Sequence, residues 1–212
     1  MRMRRKPNLA ARLEKCSYLL VKEPKLLHGG WLDEFKYKEL HIELGCGKGK
    51  FTVESAKARP DVLFVALEKT ANVIVIALER VAAEGLQNVR FINNLADFLT
   101  GYFAPNEVAQ IYINFCDPWP NSKQAKRRLT GQLFLELYKQ VLPTGGEIHF
   151  KTDNLPLFEF SLREFERHGF SLQEVTHNLH KNTPVGVMTD YEQKFHEQGI
   201  PICKCVAVKQ GV

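Results

Sequence analysis

The chain has 212 residues, 44% of them hydrophobic and 25% charged, and a formal net charge of +5. That length and balance suit one globular domain that needs no staples, and the basic excess is mild evidence for a polyanionic partner. The apolar runs are far too short to span a bilayer and MRMRRKPNLA lacks the apolar stretch of a signal peptide, so no membrane is expected and a cytoplasmic protein is. The five cysteines, Cys16, Cys46, Cys116, Cys203 and Cys205, show no zinc spacing and read as free thiols.

The first 35 residues, with basic MRMRRK and Trp31, read as a basic arm and a short helix packed onto a sheet. From about residue 40, apolar runs alternate with helical patterns. LHIEL (40–44) is a strand and KGKFTVESAKA (48–58) an amphipathic helix. VLFVAL (62–67) is a second strand, followed by a helix over 71–85 that stops on Gly85. VRFIN (89–93) is a third, with a short helical stretch over 96–103, and VAQIYINF (108–115) is a fourth. Thr130 is the expected cap of a helix over 133–142. GGEIHFKT (145–152) is the fifth strand, and Asp153 or Asn154 caps a helix running to His168. FSLQEVTHNL and PICKCVAV read as a hairpin at the sheet edge, with an inserted loop over 179–200 that shows no core helix. Strands apolar on both faces and separated by helices predict an α/β, doubly wound, Rossmann-like sheet of about seven strands, mostly parallel with an antiparallel C-terminal hairpin. The whole of 1–212 reads as a single domain with its core over 36–212, and ligands in such a sheet sit at the carboxyl ends of the strands.

The first strand runs into ELGCGKGKF, which places Glu43, Gly45, Gly47 and Gly49 at a strand-to-helix turn. Glycine there lets the backbone approach a ligand closely. The spacing is G-x-G-x-G, whereas the dinucleotide fingerprint needs G-x-G-x-x-G, and the G-K-[ST] of a phosphate loop is missing. Glu43 would repel a pyrophosphate but suits a ligand with an ammonium and a sulfonium. Glu68, ending the second strand, is placed to accept hydrogen bonds from ribose hydroxyls. Together these resemble the loop and ribose acid of class I S-adenosylmethionine-dependent methyltransferases.

The fourth strand ends in NFCDPWPN, followed by KQAKRR with four positive charges in six positions. Prolines on both sides of Trp119 fix the backbone so that carbonyls and Asp117 present a rigid edge, and Trp119 offers a stacking face. A rigid turn with a buried tryptophan is the plainer reading of Trp119. The D-P-W-P segment resembles the D/N-P-P-aromatic segment of methyltransferases acting on planar nitrogens. NFCDPWPNSKQAKRRLT, GGEIHFKTDN, MTDYEQKF and the start MRMRRKP, in this order, are similar to the bacterial tRNA (guanine-N7-)-methyltransferase family over nearly the whole chain.

That resemblance implies methyl transfer from S-adenosylmethionine to N7 of a guanine in the tRNA variable loop, with S-adenosylhomocysteine as product and no metal. It implies Glu43, Gly45, Gly47 and Glu68 at the cofactor and Asp117 as cofactor contact and catalytic residue. Asp153 with Thr189, Asp190, Tyr191 and Glu192 fall at the substrate, and Lys123, Lys126, Arg127 and Arg128 meet the RNA. There are two departures. Asn121 stands where the family commonly has lysine, so Lys123 is a candidate replacement. Leu95 stands where an acid or amide usually contacts adenine, leaving its backbone or Asn94 to serve. His149 reads as a core residue, and His177 and His180 lack a further ligand at metal spacing. A methyltransferase for a small molecule or protein, and a non-catalytic RNA-binding module, are the competing readings, and a monomer and a homodimer are both open.

Overall fold

The computed structural model describes residues 7–181 and 186–211, so the MRMRRK arm and part of the expected inserted loop lie outside the described residues. Seven strands form one sheet in the order β3-β2-β1-β4-β5-β7-β6. β1 (Glu39–Leu44), β2 (Val62–Leu67), β3 (Val89–Ile92), β4 (Gln110–Asn114) and β5 (Glu147–Thr152) run parallel. β7 (Cys203–Lys209) pairs antiparallel with both β5 and β6 (Phe170–Thr176), so the C-terminal hairpin closes the sheet at the β6 edge. Order reverses between β1 and β4, which opens a crevice at their carboxyl ends.

β2 is apolar on both faces along its whole length: Leu63, Val65 and Leu67 enter one core, Val62, Phe64 and Ala66 the other. β1, β4 and β5 alternate instead. Leu40, Ile42, Ile111, Ile113, Ile148 and Phe150 belong to the larger core. The opposite face carries a polar array, in which His41, Gln110 and Glu147 lie in register, as do Asn114 and Lys151 one step from the carboxyl edge. The expectation of uniformly apolar strands is therefore corrected: α3 (Lys50–Ala58) and α4 (Ala71–Ala83) build an apolar layer against the β1–β3 side of this face, while the β4–β5 side is polar. His149 lies on that polar face, bonded to Glu147 at 2.7 Å, rather than in the apolar core.

The larger core is covered by α5 (Leu99–Tyr102), α6 (Gln132–Val141), α7 (Leu155–Arg167) and the N-terminal α2 (Trp31–Phe35). Trp31 is fully buried and donates its indole N–H to Tyr102 O at 2.8 Å. α1 (Leu9–Lys15) is fixed to α4 by a two-bond Arg12–Glu79 pair at 2.6 Å. Asn154 caps α7, accepting from Leu157 N at 2.8 Å. Thr130 does not cap α6; Gly131 occupies that position, and the Thr130 hydroxyl, fully buried, bonds to Ser161. The expected loop contains α8 (Asp190–Glu197), whose one buried residue is Glu192. An eight-residue segment anchored by a charge lacks the apolar period that reveals a core helix. Among the described residues no helix is long and apolar enough to cross a membrane.

Gly49 is where α3 and α4 meet most closely: at φ 77°, a Cβ built on it would lie 2.6 Å from Ala77 Cβ. Gly85, at φ 65°, has nothing within 4 Å of the same position. Gly49→Ala is expected to destabilise the fold by about 2–4 kcal/mol, and Gly85→Ala by about 1 kcal/mol, in urea unfolding at constant slope.

Candidate active site

β1 delivers Glu43 and then the glycine turn to the crevice. Gly45 and Gly47 have positive φ, and a Cβ on either would meet nothing within 4 Å, so the turn presents bare backbone to open space. The Gly45 and Cys46 amides donate to Leu67 O at 2.9 and 3.0 Å, which ties the turn to the end of β2. Behind it Glu43 is only 3% exposed. Its carboxyl accepts from the Thr52 hydroxyl on α3 and from Asn114 Nδ2 on β4, the latter at 3.1 Å. Burial pushes its pKa up to about 7, against the opposing pull of those two bonds and of Lys151. A buried acid poised this way, behind a turn open to a ligand's close approach, fits a cationic group arriving at the β1 end.

Glu68, half-buried just beyond β2, accepts from Thr70 N at 2.8 Å, while its carbonyl accepts from Asn93 Nδ2 at 2.7 Å. At the end of β3, Asn94 and Leu95 are both exposed but bonded to each other: Leu95 N donates to Asn94 Oδ1 at 2.8 Å. Asn94 also donates to the Tyr102 hydroxyl at 2.7 Å.

The segment after β4 is held by contacts the sequence did not announce. Phe115 and Trp119 take left-handed backbone at φ 53° and 43°, on either side of exposed Asp117. Phe115 N still donates to Lys151 O at 2.9 Å, so the turn departs directly from the β4–β5 pairing. Arg128 donates from Nε to Pro118 O at 3.1 Å and from Nη2 to Trp119 O at 3.0 Å, with its guanidinium 4.3 Å from the centre of the Phe160 ring. The loop carbonyls expected to form a recognition edge are thus occupied, and Arg128, grouped by sequence with the RNA-facing cations, braces the loop. Trp119 is half-buried, with the Arg127 guanidinium 4.5 Å over its ring. Asn121 accepts from Lys123 N at 3.0 Å and so caps the 3₁₀ turn Ser122–Arg127, a local role for the residue standing in place of lysine. Lys123, Lys126 and Arg127 are exposed on that turn.

Asp153 is exposed just past β5, the neighbour of β4, so the two acids Asp117 and Asp153 project from adjacent strand ends. The four residues 189–192 do not share one environment. Thr189 is the buried cap of α8, accepting from Glu192 N at 2.9 Å, and Asp190 pairs with Arg80 of α4 at 2.8 and 3.2 Å. Tyr191 is exposed, whereas Glu192 is buried against Lys151. Thr52, Asn114 and Lys151 were missed by sequence reasoning. For Asn114 and Lys151 the available signal was the alternation of polar and apolar residues along QIYIN and EIHFKT; Thr52, on α3, carried none.

Residues 37–205 match a family model described as a putative methyltransferase. A 16S rRNA methyltransferase, KamB, shares the fold with a TM-score of 0.64 at 15% identity, covering 85% of this chain and 93% of that one. A curated tRNA (guanine-N(7)-)-methyltransferase of Geobacillus kaustophilus (strain HTA426) is 42% identical, covering 99% of this chain and 97% of its own. One from Geobacillus thermodenitrificans (strain NG80-2) is 43% identical over 211 residues, 99% of this chain and 98% of that protein. With glycine turn, acid pair and D-P-W-P loop at the carboxyl ends of one sheet, and full-length similarity at this level, the chain belongs to the tRNA (guanine-N(7)-)-methyltransferase family.

Proposed function

We propose that the chain transfers the methyl group of S-adenosylmethionine to N7 of a guanine in the variable loop of tRNA, releasing S-adenosylhomocysteine. The observation carrying this reading is the position of Asp117: exposed, on a braced loop at the end of β4, beside the strand that delivers the glycine turn and Glu43. When bound, the cofactor supplies a methyl group on a positively charged sulfur. Glu43 and Glu68 are its acid partners at the ends of β1 and β2, and the Asn94–Leu95 turn is its edge at β3.

Guanine N7 carries an in-plane lone pair and no proton, so its methylation needs no general base. The ring gains positive charge as the new bond forms. Asp117 and Asp153, fixed at neighbouring strand ends, stabilise that growing charge and orient the base, an electrostatic contribution that is present before the reaction begins. Lys123, Lys126 and Arg127 meet phosphates, which position the tRNA without reading its sequence. Thr189 and Asp190 act by seating α8, and Tyr191 is its exposed group toward the substrate.

Incubation with unmodified tRNA, followed by borohydride reduction and aniline scission, locates any N7-methylated guanine. Cleavage at a single variable-loop guanine is expected, and methylation elsewhere overturns the reading. Asp117→Asn is expected to lower kcat with saturating tRNA by about 100-fold. Near-normal turnover would remove Asp117 from the chemistry.

The Glu43 pKa of about 7 lies above the ordinary 4.5, so the free protein loses stability as pH rises through that window. A bound cation favours the carboxylate, so cofactor affinity measured by calorimetry is expected to rise with pH through about 7. Glu43→Gln weakens binding and flattens that rise. Lys123→Ala/Lys126→Ala is expected to raise the tRNA Michaelis constant and reduce the slope of log affinity against log salt by about one to two, sparing cofactor affinity.

A further inference from the structure

Lys151 closes the polar face of β5 and is 12% exposed. Its Nζ donates to Val187 O at 3.2 Å and to the two oxygens of Glu192 at 3.2 and 3.1 Å. Glu192 is 1% exposed, and His180 Nε2 lies 3.1 Å from its Oε1. The carbonyl of Lys151 accepts from Phe115 N, where the left-handed turn toward Asp117 begins. One residue therefore grips the D-P-W-P loop with its main chain and the segment leading into α8 with its side chain.

Other contacts of the same helix among the described residues are Arg80 with Asp190, Lys50 Nζ with Gln193 Oε1, the Phe195 ring against Phe115 at 6.0 Å and the His180 ring against His196 at 4.5 Å. Apart from the contacts of Glu192 with Lys151 and His180, these involve exposed or half-buried groups, which contribute little individually. α8 has eight residues, too few to persist as a helix without tertiary contacts. Removing Lys151 would leave a buried carboxylate with His180 as its one remaining ion-pair partner among the described residues, an arrangement that favours expelling Glu192 and with it α8.

We propose that Lys151 is a positioning residue for methyl transfer: through Glu192 and the Val187 carbonyl it holds α8 against the Asp117 loop. Glu192 then serves the acceptor site through this pair rather than by touching guanine. The role in turnover rests on the tRNA-methylating reading above; the seating of α8 does not.

Lys151→Met, Lys151→Arg, Glu192→Gln and the Lys151→Met/Glu192→Gln double variant test it, well below each variant's unfolding temperature. Hydrogen exchange needs no tRNA. The α8 amides are expected to lose about tenfold or more of their protection in Lys151→Met and to regain most of it in Lys151→Arg, with β1–β4 amides unchanged. In turnover, Lys151→Met is expected to lower kcat/KM for tRNA about tenfold or more while the cofactor Kd moves less than about threefold, and the double variant is no worse than Lys151→Met. Full α8 protection in Lys151→Met, losses that multiply in the double variant, or arginine rescuing nothing overturns the proposal. If Lys151→Met fails to fold, Lys151→Met/Glu192→Leu, an apolar replacement of the pair, carries the turnover reading: defective tRNA turnover with intact cofactor binding supports the proposal, and normal turnover overturns it. A wild-type chain that leaves tRNA unmethylated overturns the proposed function instead, and the exchange measurement still decides whether Lys151 seats α8.

Discussion

A carboxyl group kept almost dry at the end of β1 is the constraint to which much of the molecule answers. Glu43 is tolerated there because Thr52 and Asn114 donate to it from two different elements. Those donors require α3 to begin immediately after the glycine turn and β4 to end on a polar residue. The turn must be tight enough for Gly49 to pass within contact of Ala77, so a strand end that holds an acid also fixes the packing of α3 on α4. Site and fold share the same few residues, and little in this corner can change for one purpose alone.

The same polarity continues across β4 and β5 and decides what can cover them. An apolar helix on Gln110, Glu147, Asn114 and Lys151 would bury groups it could not satisfy. α8 is suited to that edge because its single buried side chain is itself an acid, matched to Lys151. Opposite Glu192, the D-P-W-P loop meets a different difficulty. Left-handed Phe115 and Trp119 each carry about 1 kcal/mol or more of backbone strain. Arg128 offsets it by bonding two successive loop carbonyls while resting on Phe160. Asp117 then stands exposed on a loop whose backbone is held.

Strand number, parallel order and the C-terminal hairpin were legible because short apolar runs alternate with helical segments along the chain, although β1, β4 and β5 turned out polar on one face. Glu43, Gly45 and Gly47 were legible because a tight turn preceded by an acid is unusual at a strand end. What was not legible shares a cause: polar groups satisfied by partners far away in sequence. Arg128 looks like one more cation in KQAKRR until its partners at 118 and 119 are known. Thr130 looks like a cap until Ser161 takes its hydroxyl. Lys151 looks like an ordinary charge at a strand end until Glu192, 41 residues later, is found bonded to it. α8 escaped for the same reason, since a helix anchored by an ion pair leaves no apolar stripe to read.

Apart from Lys151, which is paired with Glu192, the signs of charge at the strand ends are sorted by depth, and that sorting bears on how an acidic site can receive a polyanion. Glu43 and Glu68 line the inner strand ends, with Asp117 and Asp153 exposed at the next two, while Lys123, Lys126 and Arg127 stand outside on the turn beyond the loop. On the proposed function, a phosphate backbone would be attracted to the outer rim and repelled by the acids, which would admit an uncharged base ahead of it. Once there, a base that acquires positive charge is favoured by the groups that excluded its phosphates. Arg127 sits at the boundary between the two zones, its guanidinium 4.5 Å over the Trp119 ring of the loop that carries Asp117. On that reading, rim and interior would discriminate by charge before any hydrogen bond to the base is made.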